Sequence, residues 1–314
     1  MTNFVDKQPV FLIASVRTGS TLLRLMLDSH PNIVNPGECD FLFDQVSDDG
    51  KPPDIDRYRE WLKYDRIFLA KKLDVDASMD YAGLMDSFVS QMQQPGSIIV
   101  MNVHRNFYRI PKVFPHAKYI HLIRDGRDVA RSCIGMCWVG NVYYGIDIWR
   151  DAEIAWDKLK RTLRHSQYLE IKYEDLLEDV EFGLEQICQF LGFAYSKSMM
   201  DYASKSTYSL PDKSLSYQWK TKYNKRELSL VESKAGKMLL ERGYELSGVF
   251  ICGPNLIEKA KLYIQNKWFR IMRQISIYGF SLFFQYYLAR KLGISQWERS
   301  LKTKINAANI KMIK

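Results

Sequence analysis

The sequence predicts an α/β fold: a three-layer arrangement with a central parallel sheet flanked by helices, followed by a basic helical extension. Two observations carry this. Short apolar runs alternate along the chain with segments of helical hydrophobic period, which is the pattern of parallel strands joined by crossover helices. The charge is also uneven. The whole chain of 314 residues carries +9, yet residues 255–314 alone hold eight Lys, four Arg and two Glu, which is +10, so the preceding 254 stand at −1. A near-neutral body ends in a basic tail.

The elements follow in order. Pro9–Ser15 (PVFLIAS) reads as a strand, VRTGST as a glycine-containing loop and LLRLMLDSH as a helix. The polar stretch Asp44–Gln94 holds two expected helices, Asp54–Lys72 and Asp76–Gln94. Ser97–Val103 and Lys118–Ile123 are the second and third strands, with a short helix expected within Asn106–Phe114. A helix over Asp125–Cys137 follows. Another over Asp147–His165 has Ile148, Ala152, Ala155, Trp156, Leu159 and Leu163 on one face. Tyr168–Tyr173 is a fourth strand and Glu178–Leu191 a helix. Ligands of such sheets sit at the carboxyl ends of the strands, where the loops after the first and third strands lie.

Composition narrows the class. Hydrophobic residues at 46% and charged residues at 26% suit a folded soluble protein, and no repeat of solenoid or propeller period is visible. The N-terminus has neither a basic n-region nor a long apolar stretch, so no signal peptide is expected. Five cysteines without paired spacing fit a reducing compartment and a cytoplasmic location. Cys133 and Cys137, four apart on the expected helix, read as buried thiols rather than as metal ligands; no metal is expected. The boundary between body and extension is set at residue 250, giving units 1–250 and 251–314.

The loop Ala14–Thr21 joins a strand to a helix. Its glycine lets successive N–H groups face one anion, the helix terminus adds partial positive charge, and the Ser20 and Thr21 hydroxyls add donors. The loop is P-loop-like, but Ser20 stands where the P-loop lysine holds the β- and γ-phosphates of a triphosphate. That absence, with Arg17 inside the loop, argues against ATP or GTP.

IASVRTGSTLLRLMLDSHPNI resembles the 5′-phosphosulfate loop of the sulfotransferases that use 3′-phosphoadenosine 5′-phosphosulfate (PAPS), in the form seen in tyrosylprotein sulfotransferases and related bacterial enzymes. The resemblance runs from about Val10 to Tyr244. It implies that Arg17, Thr18, Gly19, Ser20 and Thr21 grip the phosphosulfate, with Arg17 also the cation near the bridging oxygen. The family's 3′-phosphate signature pairs an Arg at a strand end with a Ser eight residues later. Arg124 and Ser132, in RDGRDVARS, match it, whereas Arg127 and Asp128 read as surface charge or a helix cap. Tyr173 matches a position near the nucleotide. Ser206, with Lys213 or Lys220, falls in a segment resembling the one that closes over the cofactor.

Sulfuryl transfer needs a base for the acceptor hydroxyl and donors for the sulfonate, but no covalent nucleophile. Two residues compete for the base. Glu38 corresponds to the catalytic Glu of the tyrosylprotein enzymes, and His104 to the His of the K-T-H motif of the small-molecule enzymes, although Asn102 replaces the Lys of that motif. Glu38 is favoured as base, with His104 positioning the acceptor or sulfonate.

A hydroxyl-bearing acceptor is expected, and nucleic acid is not. The insertion Asp44–Gln94 is expected to shape the acceptor site. The tail suggests peripheral membrane contact, packing on the body, or a second subunit. Its most apolar part, Ile275–Leu288, would be about 21 Å long as one helix, too short for a bilayer core of ~30 Å. A P-loop kinase and a non-catalytic scaffold for anionic lipid or polysaccharide are the rival readings.

Overall fold

The computed structural model describes residues 9–310. Its centre is a parallel sheet of five strands: β1 Val10–Ile13, β2 Ile33–Glu38, β3 Ile98–Val103, β4 Lys118–Ile123 and β5 Tyr168–Lys172, in the order β2-β3-β1-β4-β5. Central β1 pairs in register with β3 (Val10 with Val100) and with β4 (Val10 with Lys118). Its four residues, VFLI, have no exposed surface, as expected of a strand covered on both sides. Alternation then divides them. Phe11 and Ile13 enter a core built with Phe41, Phe43, Phe88 and Trp156, while Val10 and Leu12 enter another with Leu23, Met26, Leu184 and Ile187.

Four strands are those the sequence predicts; β2 is an addition. Its sequence, IVNPGE, carries Pro36, which cannot donate to a ladder and so argues against a strand. At the sheet edge that objection lapses, and the register shifts between Val34 and Gly37, where the proline sits.

The helix boundaries differ from the expected ones for local reasons. The helix expected over Asp54–Lys72 is two, Ile55–Leu62 and Arg66–Lys71, because Asp65 caps the second by accepting from the Ile67 and Phe68 amides. The helix expected from Asp76 is Tyr81–Met92, capped by Asp80. The one expected from Asp147 starts earlier, Val142–Lys160, capped by Asn141. The helix after β4 is Gly126–Gly135, so Cys137 lies beyond its end rather than on one face with Cys133. The extension forms helices Leu256–Tyr278, Phe280–Leu292 and Ser295–Ile310. Gly279, at φ 76, splits the apolar run Ile275–Leu288 between the first two.

Helices Gly126–Gly135 and Val142–Lys160 pack closely where Gly145 meets the Ala130 carbonyl; a Cβ on Gly145 would lie 2.5 Å from that oxygen. With helix Lys225–Glu241 they enclose a third core around Val129, Trp149, Val231 and Leu239. Beneath it, Glu174 accepts from the Asp125 amide and from the Tyr244 hydroxyl, each at 2.9 Å. Burial raises the Glu174 carboxyl from 4.5 to about 7. A carboxyl that holds its proton more tightly when folded stabilises the fold fully below its unfolded value. That contribution is lost as the pH rises from about 4.5 through about 7. Glu174→Gln should therefore flatten the stability profile in this window by up to ~1.4 kcal/mol per pH unit. Denaturant unfolding of both proteins across the window checks this; parallel profiles would refute it.

Candidate functional site: an anion-binding cleft at the carboxyl edge of the sheet

The loop after β1 has the backbone of an anion cradle. Arg17 (φ 68) and Gly19 (φ 100) are left-handed, and Gly19 caps helix Ser20–Asp28, whose first N–H groups have no partner within the helix. Only glycine fits at position 19. The torsion disfavours a side chain, and a Cβ would lie 2.3 Å from Cε2 of Tyr173. Thr18 turns inward, its hydroxyl donating to the Ser15 carbonyl at 2.7 Å.

The loop after β4 meets this one. Arg17 Nε donates to Ser132 Oγ at 2.9 Å, and Arg124 Nη1 donates to the Arg17 carbonyl at 3.3 Å. The Arg124 guanidinium lies over the Tyr173 ring, 4.5 Å from its centroid, and Nη2 donates to the Leu215 carbonyl at 2.7 Å. Its Nε is buried without a protein partner, the sort of orphan donor that a bound anion would satisfy.

A cleft of about 910 Å³ opens here, lined by Arg17, Gly19, Ser20, Thr21, Arg124, Ser132 and Tyr173. Thr207–Asp212, Leu215, Gln218, Trp219 and Lys222 form its other wall. Of the expected residues, Thr18, Ser206 and Lys213 are not among those that line it. Ser206 Oγ accepts from the Tyr208 amide at 3.2 Å, and Lys213 pairs with Glu178 at 2.9 Å.

Arg127 and Asp128 are not surface charges. Arg127 is 1% exposed; it donates to Asp125, to Glu232 and to the Glu245 carbonyl, and its guanidinium lies 3.6 Å from the Trp219 ring centroid. Asp128 accepts from the Gln218 and Trp219 amides, at 3.2 and 2.8 Å. Burial pushes its carboxyl up, while Arg124 at 3.7 Å opposes that rise. These two residues hold the far wall in place. Asp125 does act as a cap, accepting from the Arg127 amide.

Glu38 ends β2 and His104 directly follows β3; neither is among the residues lining the cleft. His104 Nδ1 is 2.9 Å from the Ala14 carbonyl, which can only accept, so this nitrogen carries the hydrogen. In the neutral ring Nε2 is then the acceptor, 3.9 Å from Glu38 Oε1. The sequence reading missed Asp40, which accepts from the His104 and Arg105 amides and fixes the backbone there. It missed Asn102 as well, which donates to the Ser20 carbonyl at 3.5 Å and accepts from Asn35 at 3.1 Å. Burial raises the Asp40 carboxyl, opposed chiefly by His104. Among the described residues, no group of three or more His, Cys, Asp and Glu comes together as a metal set.

Comparison with known proteins identifies the family. The model of the sulfotransferase family matches residues 9–197. Protein-tyrosine sulfotransferase 2 of Gallus gallus is 26% identical over 223 residues, covering 63% of this chain and 55% of the relative. Protein-tyrosine sulfotransferase 1 of Danio rerio is 24% identical over 219 residues, covering 63% and 56%. The chain thus spans just over half the length of these curated relatives. Among solved structures, the sulfotransferase domain of the Synechococcus PCC 7002 olefin synthase superposes with a TM-score of 0.56 at 23% identity, over 73% of this chain and 96% of that one. The sulfotransferase domain from the curacin biosynthetic pathway has the same TM-score at 19% identity, over 76% and 99%. With the family match covering more than half of its length, this chain belongs to the sulfotransferase family.

Proposed function

We propose that this chain transfers a sulfuryl group from PAPS to an acceptor hydroxyl by in-line displacement. The observation that carries the reading is the junction of the two loops. The Arg17–Ser132 hydrogen bond and the Arg124 contact with the Arg17 carbonyl put both anion-binding signatures into one cleft. Bound there, PAPS supplies the sulfuryl group and a phosphate that leaves readily. In this reading Arg17, Thr18, Gly19, Ser20 and Thr21 hold the 5′-phosphosulfate, Arg124 and Ser132 the 3′-phosphate, and Tyr173 the nucleotide beside Gly19. Ser206 and Lys213 belong to the closing segment, Lys213 after leaving Glu178. No metal is required by this chemistry.

Glu38 takes the proton of the acceptor hydroxyl. Its side chain is about half exposed, so an acceptor can reach it, whereas His104 is largely covered and tethered to Ala14. That tether suits His104 to accept from the acceptor hydroxyl through Nε2, or to donate to a sulfonate oxygen from the same atom as the imidazolium, rather than to move. The body 1–250 is read as the catalytic unit and 251–314 as an extension that meets a membrane surface.

Two results test the assignment. A nucleotide with a 3′-phosphate should bind better than its 3′-dephospho counterpart, and Arg124→Ala should remove most of that preference, ~1.5–3 kcal/mol for a charge-assisted contact. Calorimetry giving equal affinities for both nucleotides would reject the 3′-phosphate site. Glu38→Gln should bind nucleotide normally and lose roughly 10²–10⁴-fold in turnover, the usual share of a general base. His104→Gln should lose less. An acidic limb of the rate profile that survives in Glu38→Gln and vanishes in His104→Gln would exchange their roles.

A further inference from the structure

The extension presents a face that the body leaves uncovered. Residues 259–297 contain seven Lys and Arg and no Asp or Glu. Helix Leu256–Tyr278 turns one side inward. Asn266 Oδ1 accepts from the Gly140 amide at 2.7 Å, Asn141 Nδ2 donates to the Leu262 carbonyl at 2.9 Å, and Phe269 packs over Gly140. Ile264 and Trp268 each stand two residues from Asn266, hence roughly 200° around the helix, and each is 64% exposed. Ile257 and Met272 continue that stripe, and in the next helix exposed Phe280 and Phe284 stack 5.8 Å apart.

An aromatic-rich stripe that packed on the body would be buried; this one faces outward. By the same count Lys261 lies on the stripe's side of this helix, about 220° from Asn266, and Lys267 on its flank, about 100° from it. Apolar side chains entering the headgroup–acyl boundary while neighbouring cations meet lipid phosphates is the chemistry of an interfacial helix. A spanning role does not fit, since no helix among the described residues is long and apolar enough to cross a membrane.

The arm is also tied at its far end. Asn306 Nδ2 donates to the Tyr64 carbonyl at 3.0 Å, and Arg299 lies 3.6 Å from Glu60. One tie therefore follows helix Gly126–Gly135, which carries Ser132, and the other lies on the insertion that follows β2 and Glu38. The arm joins the two flanks of the edge where the candidate site lies.

We propose that the outer face of this arm docks on an anionic lipid bilayer, and that the acceptor hydroxyl is borne by that membrane. The second half rests on the sulfotransferase reading; the docking does not. The test uses the full chain with vesicles of phosphatidylcholine alone or mixed with phosphatidylglycerol. Wild type should co-sediment with the anionic vesicles, less so as salt is raised, and the double variant I264E/W268E should lose ~10-fold or more of that partition. Far-UV circular dichroism and the thermal midpoint should match in both proteins, showing that the variant is folded, and calorimetry with adenosine 3′,5′-bisphosphate should give them equal affinities.

With radiolabelled PAPS, transfer to a long-chain alcohol embedded in the anionic vesicles should exceed transfer to a short soluble alcohol, and the double variant should lose the advantage. Equal partition of the two proteins, or equal partition onto neutral vesicles, overturns the docking. So does wild-type self-association that the variant lacks, without vesicle binding, because a second copy then covers the face. Equal transfer to both alcohols overturns the acceptor half. No transfer to either, with nucleotide bound, overturns the acceptor half alone; failure to bind adenosine 3′,5′-bisphosphate overturns the sulfotransferase reading with it, and either result leaves the docking standing.

Discussion

A guanidinium buried in a protein must find its partners there, because it does not give up its charge. Arg127 finds them on separate stretches of the chain: Asp125 at the end of β4, Glu232 on helix Lys225–Glu241, and the carbonyl of Glu245 beyond that helix. Trp219 packs across its plane. Residues distant in sequence are thereby held to the segment after β4 that carries Arg124 in its loop and Ser132 in its helix. Removing one member of such a network leaves an uncompensated buried charge, a cost of ~3–5 kcal/mol. The far wall of the cleft depends on it, since Asp128 beside Arg127 holds the amides of Gln218 and Trp219.

The near wall depends on the sheet. Central β1 delivers the left-handed turn at Arg17 and Gly19 to the carboxyl edge, between β3, which leads to His104, and β4, which leads to Arg124. Tyr173, just after β5, lies against Gly19 on one side and under Arg124 on another. One aromatic ring thus sets the spacing between the loops after β1 and β4. Glu38 and His104 belong to the opposite end of the same edge, with Glu38 on the outermost strand and half open to solvent.

Much of this was legible in the sequence, for a physical reason. Buried parallel strands must be apolar throughout, so PVFLIAS, SIIVMNV and KYIHLI announce themselves, and the loop after β1 carries its chemistry in consecutive residues. What was hidden depended on tertiary context. Pro36 disguised β2, because only the sheet order reveals that β2 is an edge. Arg127 and Asp128 looked like surface charges because their partners lie ninety and more residues away. The segment holding Ser206 and Lys213 was marked by its resemblance, but that Thr207–Asp212 between them line the cleft was set by tertiary context. In the extension, the aromatic run suggested a single helix until Gly279 divided it, and which side faced outward could be read only from the contacts at Gly140.

The proposed function puts a nucleotide bearing phosphates at both its 3′ and 5′ ends in one cleft, walled by the β1 loop, the β4 loop and the segment before helix Lys225–Glu241. Backbone hydrogen exchange of the wild-type chain with and without adenosine 3′,5′-bisphosphate, in the absence of magnesium, tests it most directly. The account predicts slowed exchange at residues 17–21, around 124–132 and across 207–219, and much weaker protection by adenosine 5′-monophosphate. Protection confined to other parts of the chain, or equal protection by the two nucleotides, would contradict it.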